Sequence, residues 1–288
     1  MLPEPVLAYL EAQGWGGAIR LQAVDGGCIN NGHVVDCAHG PRLFLKTNPN
    51  PPPDLFAREA DGLRALHQPG APRVPRPLLA GPDFLLLEYL APAPPAAAAW
   101  ETFGRRLAAL HAPAGPHFGF AHTNYLGSTP QPNPPTADGF DFFAEQRLLY
   151  QGRLARERGH LSGASLRALE RLAARLRDRV PAQPPSLIHG DLWSGNVIPG
   201  PDGDLSLIDP AAHYGWAEAE LAMTALFGGF PEAFYRAYAA AAEAGGRPLA
   251  QGFRQRFGVY NLYHLLNHLN LFGGHYLGQV EAVLAANR

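Results

Sequence analysis

The sequence is poor in lysine and cysteine and has no long apolar run. Of its 23 basic residues, Lys46 is the one lysine and the other 22 are arginines. The two cysteines, Cys28 and Cys37, suit neither a disulfide framework nor a zinc site, which favours a reducing compartment. No apolar stretch reaches the roughly 18 residues that a membrane helix needs. These absences exclude a disulfide-stabilised secreted scaffold and a membrane-spanning protein.

The charge balance also excludes a class of partner. The net charge is −2, the sequence pI is about 6.6, and no run of basic residues occurs, which argues against nucleic-acid binding. The first residues lack the basic and apolar regions of a secretion signal. With 288 residues, of which 47% are hydrophobic, the chain can fill two lobes. We therefore expect a cytoplasmic globular protein.

The scarcity of lysine makes Lys46 informative. Arginine replaces lysine on surfaces but not where a compact ammonium group must fit. Lys46 ends a strand-like run, and Glu59 follows in a predicted helix whose N-cap is Asp54 and whose apolar stripe includes Leu55 and Leu63. A carboxylate on that stripe needs a cationic partner, so the pattern predicts an ion pair between Lys46 and Glu59. The alternative is that Glu59 lies beside the stripe and reaches water.

A set of acidic and amide residues carries the clearest chemical signal. Asp191, Asn196 and Asp209 follow short apolar runs, and His189-Gly190 precedes the first of them. Protein-kinase-like enzymes use this spacing: the first Asp accepts the proton of the acceptor hydroxyl, and the Asn and second Asp hold Mg²⁺ against the nucleotide phosphates. The pattern predicts Asp191 as the catalytic base and Asn196 and Asp209 as metal ligands. A polar loop between two core strands is the structural alternative.

Two further segments are candidates for the nucleotide site. The turn at 25–34 resembles the kinase pattern G-x-G-x-x-G-x-V, although Ile29 stands at the middle glycine, and an ordinary Asn/Gly hairpin turn would look similar. The strand-like run 84–90 precedes a Pro/Ala-rich linker, where the backbone of Glu88 and Leu90 could pair with adenine. The predicted nucleotide-binding residues are Gly27, Cys28, Ile29, Gly32, Lys46, Glu59, Glu88, Tyr89 and Leu90.

The order of elements predicts an α+β, bilobal fold with a small β-rich N-lobe and a larger, mainly helical C-lobe. Strands are expected at 19–24, 34–38, 43–47, 74–80 and 84–90, and helices at 3–13, around Glu59, and at 100–112, 138–159, 163–180, 217–228, 231–244, 248–272 and 276–286. The lobes would span residues 1–90 and 91–288. The polar segment 112–138 is either a sugar-binding loop with His122, Asn124 and Gln131 or a proline-stiffened surface connection.

Together these elements resemble the fructosamine/ketosamine 3-kinase family, within the aminoglycoside-phosphotransferase and choline-kinase-like group. The resemblance covers nearly the whole chain, and its most specific parts are residues 26–29, 44–48, 124–131, 189–196, 209–215 and 220–231. It implies a protein-kinase-like fold, ATP and Mg²⁺ as cofactors, and phosphorylation of the 3-hydroxyl of ketosamines, small or borne on protein lysines, which leads to deglycation. It also implies that Glu220 braces the catalytic loop.

The resemblance further implies substrate contacts by Trp193 and Trp216, although Trp216 stands where the family pattern has a histidine. Two other functions remain open at this point: a kinase for another small-molecule hydroxyl, of the aminoglycoside or choline type, and an inactive nucleotide-binding scaffold. We expect a monomer. A redox-linked dimer through Cys28 is a hypothesis, since backbone N–H groups of a glycine-rich turn favour a thiolate.

Overall fold

The structure is a computed structural model that describes residues 2–17, 19–24 and 30–287. Its N-terminal part is a five-stranded antiparallel sheet of order β1-β2-β3-β5-β4, with one helix before the sheet and one inserted after β3. The predicted order of three strands, a helix and two strands is confirmed. The elements are α1 Glu4–Ala12, β1 Ile19–Val24, β2 Asn31–Cys37, β3 Leu43–Thr47, α2 Leu55–Leu66, β4 Pro77–Ala80 and β5 Phe84–Glu88.

This sheet is buried on both faces, which explains the continuous apolar run of β5. Phe84 and Leu86 pack in the cluster that contains α1, whereas Leu85 and Leu87 pack in the cluster that contains α2. Successive side chains of a strand point to opposite faces. In β3, Leu45 belongs to the α1 cluster and Phe44 to the α2 cluster, so the same alternation directs Lys46 toward α2.

The start of α2 differs from the prediction. Asp54 occupies the N-cap position as predicted, but its backbone is left-handed with φ of 59° and its side chain makes no capping hydrogen bond. An N-cap residue needs an extended backbone to direct its side chain at the first free N–H groups. Here the preceding prolines form a tight turn in which Leu55 donates to the Pro52 carbonyl, at 3.2 Å. The predicted apolar stripe of α2 is buried as expected.

The C-terminal part is mainly helical, with three two-stranded antiparallel sheets. The predicted helix 138–159 is divided by a π-helical segment, Ala144–Leu149, and the predicted helix 248–272 begins only after Gly252, whose φ is 73°. The elements are α3 Ala99–His111, β6 Asn124–Leu126, β7 Thr129–Gln131, α4 Gly139–Phe143, α5 Tyr150–Glu157, α6 Gly163–Ala174, α7 Leu176–Arg179, β8 Ser186–Ile188, β9 Val197–Pro199, β10 Leu205–Leu207, β11 His213–Gly215, α8 Ala217–Met223, α9 Glu232–Ala244, α10 Phe257–Phe272 and α11 Leu277–Ala286.

Three antiparallel pairings position the functional loops: β6 with β7, β8 with β11, and β9 with β10. The β9–β10 hairpin is also tied to the N-terminal part, because Leu207 N–H donates to the Arg73 carbonyl at 2.7 Å. The linker segment 91–98 is anchored to the same region by two hydrogen bonds, from Ala93 N–H to the Gly200 carbonyl at 3.3 Å and from Ala96 N–H to the Gly203 carbonyl at 2.9 Å. Within the described residues, no helix is long and apolar enough to cross a membrane.

Candidate active site

The candidate catalytic loop runs from β8 to β9 and begins with a turn that requires glycine. Gly190 has φ of 82°, and a Cβ atom there would collide with the Ala211 carbonyl. The catalytic loop and the segment after β10 are also linked by a hydrogen bond from Ala211 N–H to the His189 carbonyl, at 2.9 Å. The close approach brings the loop that carries Asp191 next to the segment that carries Asp209.

Glu220 of α8 stabilises this turn by hydrogen bonds to its backbone. Its carboxylate accepts the N–H of His189 at 2.8 Å and the N–H of Gly190 at 2.7 Å, and His111 Nε2 lies 3.3 Å from it. Burial raises the pKa of Glu220, but the His111 ring and the backbone donors outweigh burial and the pKa lies below its ordinary value. Glu220 therefore has the bracing position that the resemblance implies.

His189 connects the loop to the segment after β10. Its Nε2–H donates to the Ile208 carbonyl at 2.8 Å, and its Nδ1 accepts the N–H of Asp191 at 3.3 Å. Burial lowers the pKa of His189, which keeps the ring neutral and consistent with one donor and one acceptor nitrogen. The ring fixes the backbone on both sides of the candidate base.

Asp191 and Asn196 lie on the same loop, and two hydrogen bonds link them. Asn196 Nδ2 donates to the Asp191 carbonyl at 2.8 Å and to its Oδ2 at 3.1 Å. Burial raises the pKa of Asp191 to about 7, opposed by the Asn196 hydrogen bond and assisted by the charges of Asp209 and Glu220. A carboxylate with a pKa near neutrality can take up a proton at physiological pH.

The N-terminal part contributes a cation between two carboxylates. Lys46 Nζ contacts Glu59 Oε1 at 2.5 Å and also donates to Asp209 Oδ1, which comes from the opposite lobe. Burial alone would lower the pKa of Lys46, but the two carboxylates raise it above its ordinary value. The predicted ion pair between Lys46 and Glu59 is present, and Asp209 completes it from the C-lobe.

The oxygens left in this cleft fit a magnesium ion. The side chain of Asp209 is 44% exposed, and Asn196 uses its amide nitrogen on Asp191, which leaves its Oδ1 for another partner. In the described part of the chain, no group of three or more His, Cys, Asp or Glu side chains forms a self-contained metal site. Magnesium at kinase sites takes one or two protein ligands and completes its shell with phosphates and water, which this pair of residues allows.

The described nucleotide candidates lie on the interior strands β2 and β3, on α2, and at or just after the end of β5. Gly32 pairs with Lys46 across β2 and β3. Glu88 N–H donates to the Arg76 carbonyl and its carboxylate binds Arg73, at 2.9 and 2.6 Å. The side chain of Glu88 thus fixes the segment before β4, and the adenine contacts of the Glu88 and Leu90 backbones stay predictions. Three predicted nucleotide-binding residues lie outside the described residues: Gly27, Cys28 and Ile29.

The segment 112–138 is built against the Asp209 segment. Asn124 donates to the Ala212 carbonyl at 2.8 Å, and Gln131 donates to the Ala211 carbonyl at 3.0 Å and to Asn124 Oδ1 at 2.6 Å. Both side chains are buried and bonded within the protein. They therefore support the active-site backbone, which corrects the expectation that they contact substrate. Sequence reasoning also missed the β6–β7 hairpin that carries them.

The three other predicted substrate contacts have different positions. Trp216 is buried among aromatic rings, including Phe143 and Phe118 with ring centroids 5.3 and 6.2 Å away, so a direct substrate contact is corrected to a core position. Trp193 is half-buried within the catalytic loop, with its ring over Gly195. The side chain of His122 is exposed. Trp193 and His122 remain predicted substrate contacts.

Two supporting residues were not identified from the sequence. His111 lies on the apolar stripe of α3, where a polar residue four positions after Leu107 is the available signal. Arg147 is 1% exposed, donates to the Pro132 carbonyl at 2.7 Å and to Asn133 Oδ1 at 2.6 Å, and stacks on Phe142. Arg147 follows two polar residues, Glu145 and Gln146, so no local pattern marked it as buried. Both His111 and Arg147 hold the loops around the cleft.

Comparison with known proteins assigns the family. The fructosamine kinase family model matches residues 12–287. The chain belongs to the fructosamine kinase family. A Synechocystis protein named "Probable ketoamine kinase" is 42% identical over 98% of this chain and 96% of its own length. A chloroplastic protein-ribulosamine 3-kinase of Arabidopsis thaliana is 34% identical over 99% of this chain and 87% of its own length.

Solved structures confirm the fold class. A Thermobifida fusca protein, provisionally named fructosamine-3-kinase, has a TM-score of 0.85 and 36% identity, and the match covers 98% of both chains. Aminoglycoside phosphotransferase APH(4)-Ia has a TM-score of 0.62 at 15% identity, over 99% of this chain and 100% of that one, which shows a shared fold. The predicted α+β, bilobal, kinase-like architecture is therefore confirmed.

Proposed function

We propose that this protein is an ATP- and Mg²⁺-dependent kinase that phosphorylates the 3-hydroxyl of ketosamines. The observation that carries the proposal is the meeting of Lys46, Glu59 and Asp209 across the two lobes, beside the Asp191–Asn196 pair. Phosphoryl transfer depends on positioning and charge neutralisation, and this arrangement supplies both. Membership of the fructosamine kinase family supports the choice of acceptor.

In the proposed reaction, Asp191 accepts the proton of the acceptor hydroxyl. The hydroxyl oxygen forms a bond to the γ-phosphorus while the bond from that phosphorus to the bridging oxygen breaks, and ADP leaves with the electron pair. The raised pKa of Asp191, about 7, suits a group that must take up this proton and later release it. Asn196 holds the carboxylate in place through its amide nitrogen.

Lys46 would change partners when nucleotide binds. Its ammonium now contacts both Glu59 and Asp209. Phosphate oxygens near Lys46 would compete with Asp209 for this cation, which would free the Asp209 carboxylate to hold Mg²⁺ together with Asn196 Oδ1. When bound, Mg²⁺ neutralises the negative charge of the phosphates. Glu59 would keep Lys46 positioned throughout.

A panel of acceptors with an ADP readout tests the proposal. We expect turnover of ribulosamine and fructosamine and none of an aminoglycoside or choline. Turnover of an aminoglycoside or choline alone would favour the alternative of a kinase for other small-molecule hydroxyls. Absence of turnover on both ketosamines would overturn the proposal. If nucleotide still bound, the protein would instead be an inactive nucleotide-binding scaffold.

The preferred sugar and the carrier of the ketosamine extend the same proposal. We propose that short sugars such as ribulosamine are preferred and that the adducts include those on protein lysines, where loss of the 3-phosphate by elimination frees the amine. Competition of ribulosamine against fructosamine, measured as kcat/KM, tests the sugar preference. A higher kcat/KM for fructosamine would reverse it.

A further inference from the structure

A chain of aromatic rings connects the catalytic loop with the protein surface. The ring centroids of Trp193 and Phe227 are 6.1 Å apart, and those of Phe227 and His268 are 4.8 Å apart. His268 then meets Phe272 at 5.5 Å and Tyr276 at 5.1 Å. We call this set the aromatic path, and it consists of Trp193, Phe227, His268, Phe272 and Tyr276. It begins two residues after Asp191 and ends beyond the C-terminus of α10.

The outer end of the aromatic path is open to solvent. Phe272 is 51% exposed, the highest value among the large hydrophobic side chains in the described residues. Beside Phe227, the exposed Gly228 and Gly229 have no atom within 4 Å of where a Cβ would be. Single exposed apolar residues are common on protein surfaces. An exposed aromatic ring that continues a row of rings from the candidate active site forms a contiguous surface, and such surfaces are typical of binding sites.

The segments that form this surface, 224–231 and 268–280, contain no acidic residue, lysine or arginine. Burial lowers the pKa of His268, which keeps that ring neutral. A polycation would find no carboxylate on these segments. Aromatic faces instead suit a hydrocarbon stem and the single secondary ammonium group of a ketoamine, through apolar contact and cation–π attraction.

We propose that the aromatic path is the docking surface for the amine-bearing part of the acceptor, namely a modified lysine side chain with its flanking peptide. This inference rests on the proposed function. From the 3-hydroxyl oxygen to the Cα of a modified lysine there are roughly nine bonds, which extend to about 11 Å. The two steps from Trp193 through Phe227 to His268, of 6.1 and 4.8 Å, give a path of comparable length, which is the upper limit of the straight distance between the first and last ring. The peptide backbone then lies against Phe272 and Tyr276.

The test compares two acceptors that share the sugar and differ in the carrier. One is the ribulosamine of butylamine, and the other is the ribulosamine of a lysine within a hexapeptide. For Phe272→Ala and Tyr276→Ala we expect kcat/KM on the peptide to fall by about ten-fold through a higher KM, in line with the loss of a buried aromatic contact. The butylamine adduct should be turned over as by wild type. Leu7→Ala removes another exposed hydrophobic side chain, on α1, and is the matched control.

The outcomes separate this inference from the proposed function. An equal fall on both acceptors, or no fall on either, would overturn the docking surface while leaving the kinase activity established. If wild type turned over neither these ribulosamines nor the corresponding fructosamines, the proposed function would fail. Binding of the fluorescent ribulosylated hexapeptide to wild type and Phe272→Ala, measured by anisotropy, would then decide: weaker binding by the variant supports the surface, and equal binding overturns it.

Discussion

Glu59 and Glu220 are two buried glutamates on opposite sides of the cleft, and they stabilise different kinds of partner. We call these sides the N-lobe wall, which carries Glu59, and the C-lobe wall, which carries Glu220. Glu59 of α2 meets a charged side chain, Lys46, at 2.5 Å. Glu220 of α8 meets backbone, accepting the N–H groups of His189 and Gly190 at 2.8 and 2.7 Å. One carboxylate positions a cation that exchanges partners in the proposed reaction, and the other fixes the shape of a loop.

The pKa values of the two carboxyl groups move in opposite directions for this reason. At Glu59, burial raises the pKa, Lys46 lowers it, Asp209 raises it again, and the result is above the ordinary value. At Glu220, burial also raises the pKa, but His111, His189 and the Gly190 N–H together bring it below the ordinary value. A carboxylate surrounded by fixed donors is stabilised as an anion, whereas one that shares a cation with a second carboxylate is not.

The largest expected effect is on kcat and comes from replacing Asp191, which lies between these two walls. Replacing Asp191 by Asn removes the proposed base and keeps the shape of the side chain, so kcat should fall by roughly 10²–10⁴-fold. The free energy of unfolding and the affinity for ATP should change little, because Glu59 and Glu220 still hold their partners. Steady-state turnover, nucleotide titration and chemical denaturation measure the three quantities. Turnover equal to wild type would show that Asp191 is not the base.

The next effect tests the N-lobe wall. Lys46→Arg replaces a compact ammonium by a planar guanidinium in a site that is 7% exposed, so both contacts with carboxylates should be displaced. We expect kcat/KM for ATP to fall by about 10²-fold, the magnitude typical of losing a fixed charge-stabilising group. The matched control is Arg42→Lys, an exposed ion pair with Asp36, which should leave activity unchanged. Equal activity of Lys46→Arg and wild type would show that any cation suffices.

The two walls were not equally accessible from the sequence. The ion pair of Lys46 and Glu59 followed from helix periodicity and from the need of an inward carboxylate for a cation, because both residues lie on regular elements. The contact from Glu220 to the His189–Gly190 turn joins residues about 30 positions apart through a left-handed backbone. No periodicity encodes such a contact, and its bracing role entered only through the family resemblance.

The helical and loop regions show the same limit. The strands β1 and β3 lie where alternation and turn residues place them. The segment 112–138 has little periodicity, so neither its β6–β7 hairpin nor the burial of Asn124 and Gln131 could be read from it. Polar composition indicated a binding loop, but polar side chains also serve to satisfy buried backbone carbonyls, and here the carbonyls of Ala211 and Ala212 take them.

Comparing Glu220→Gln with Glu59→Gln tests whether Glu220 acts on stability and Glu59 acts on the position of Lys46. An amide at position 220 directs an NH₂ group at a backbone donor, so we expect unfolding free energy to fall by about 2–4 kcal/mol. An amide at position 59 can still accept from Lys46, which also keeps Asp209, so stability should change by less than about 1 kcal/mol. The KM for ATP should rise in Glu59→Gln by about ten-fold, because Lys46 loses the charge that positions it.

Denaturant unfolding and ATP titration on both variants measure these effects. Equal losses of stability would mean that the two carboxylates do the same structural work. A KM for ATP that rises only in Glu220→Gln would reverse the roles assigned to the two walls.

The smallest expected effect is the pH dependence of stability, and its sign differs between the walls. The folded pKa of Glu220 is below its ordinary value of 4.5, so its contribution is fully present above about pH 4.5 and is lost as pH falls through the lower folded value. The folded pKa of Glu59 is above 4.5, so its contribution is present below that pH and is lost as pH rises through the folded value.

The difference in unfolding free energy between wild type and Glu220→Gln should therefore shrink toward low pH, by at most about 1.4 kcal/mol per pH unit. The difference between wild type and Glu59→Gln should move in the opposite direction. Carboxylates other than Asp209 and Asp191, which interact with the replaced side chains, are common to all three proteins and cancel. Parallel slopes in urea titrations from pH 3 to 7 would contradict the contrast.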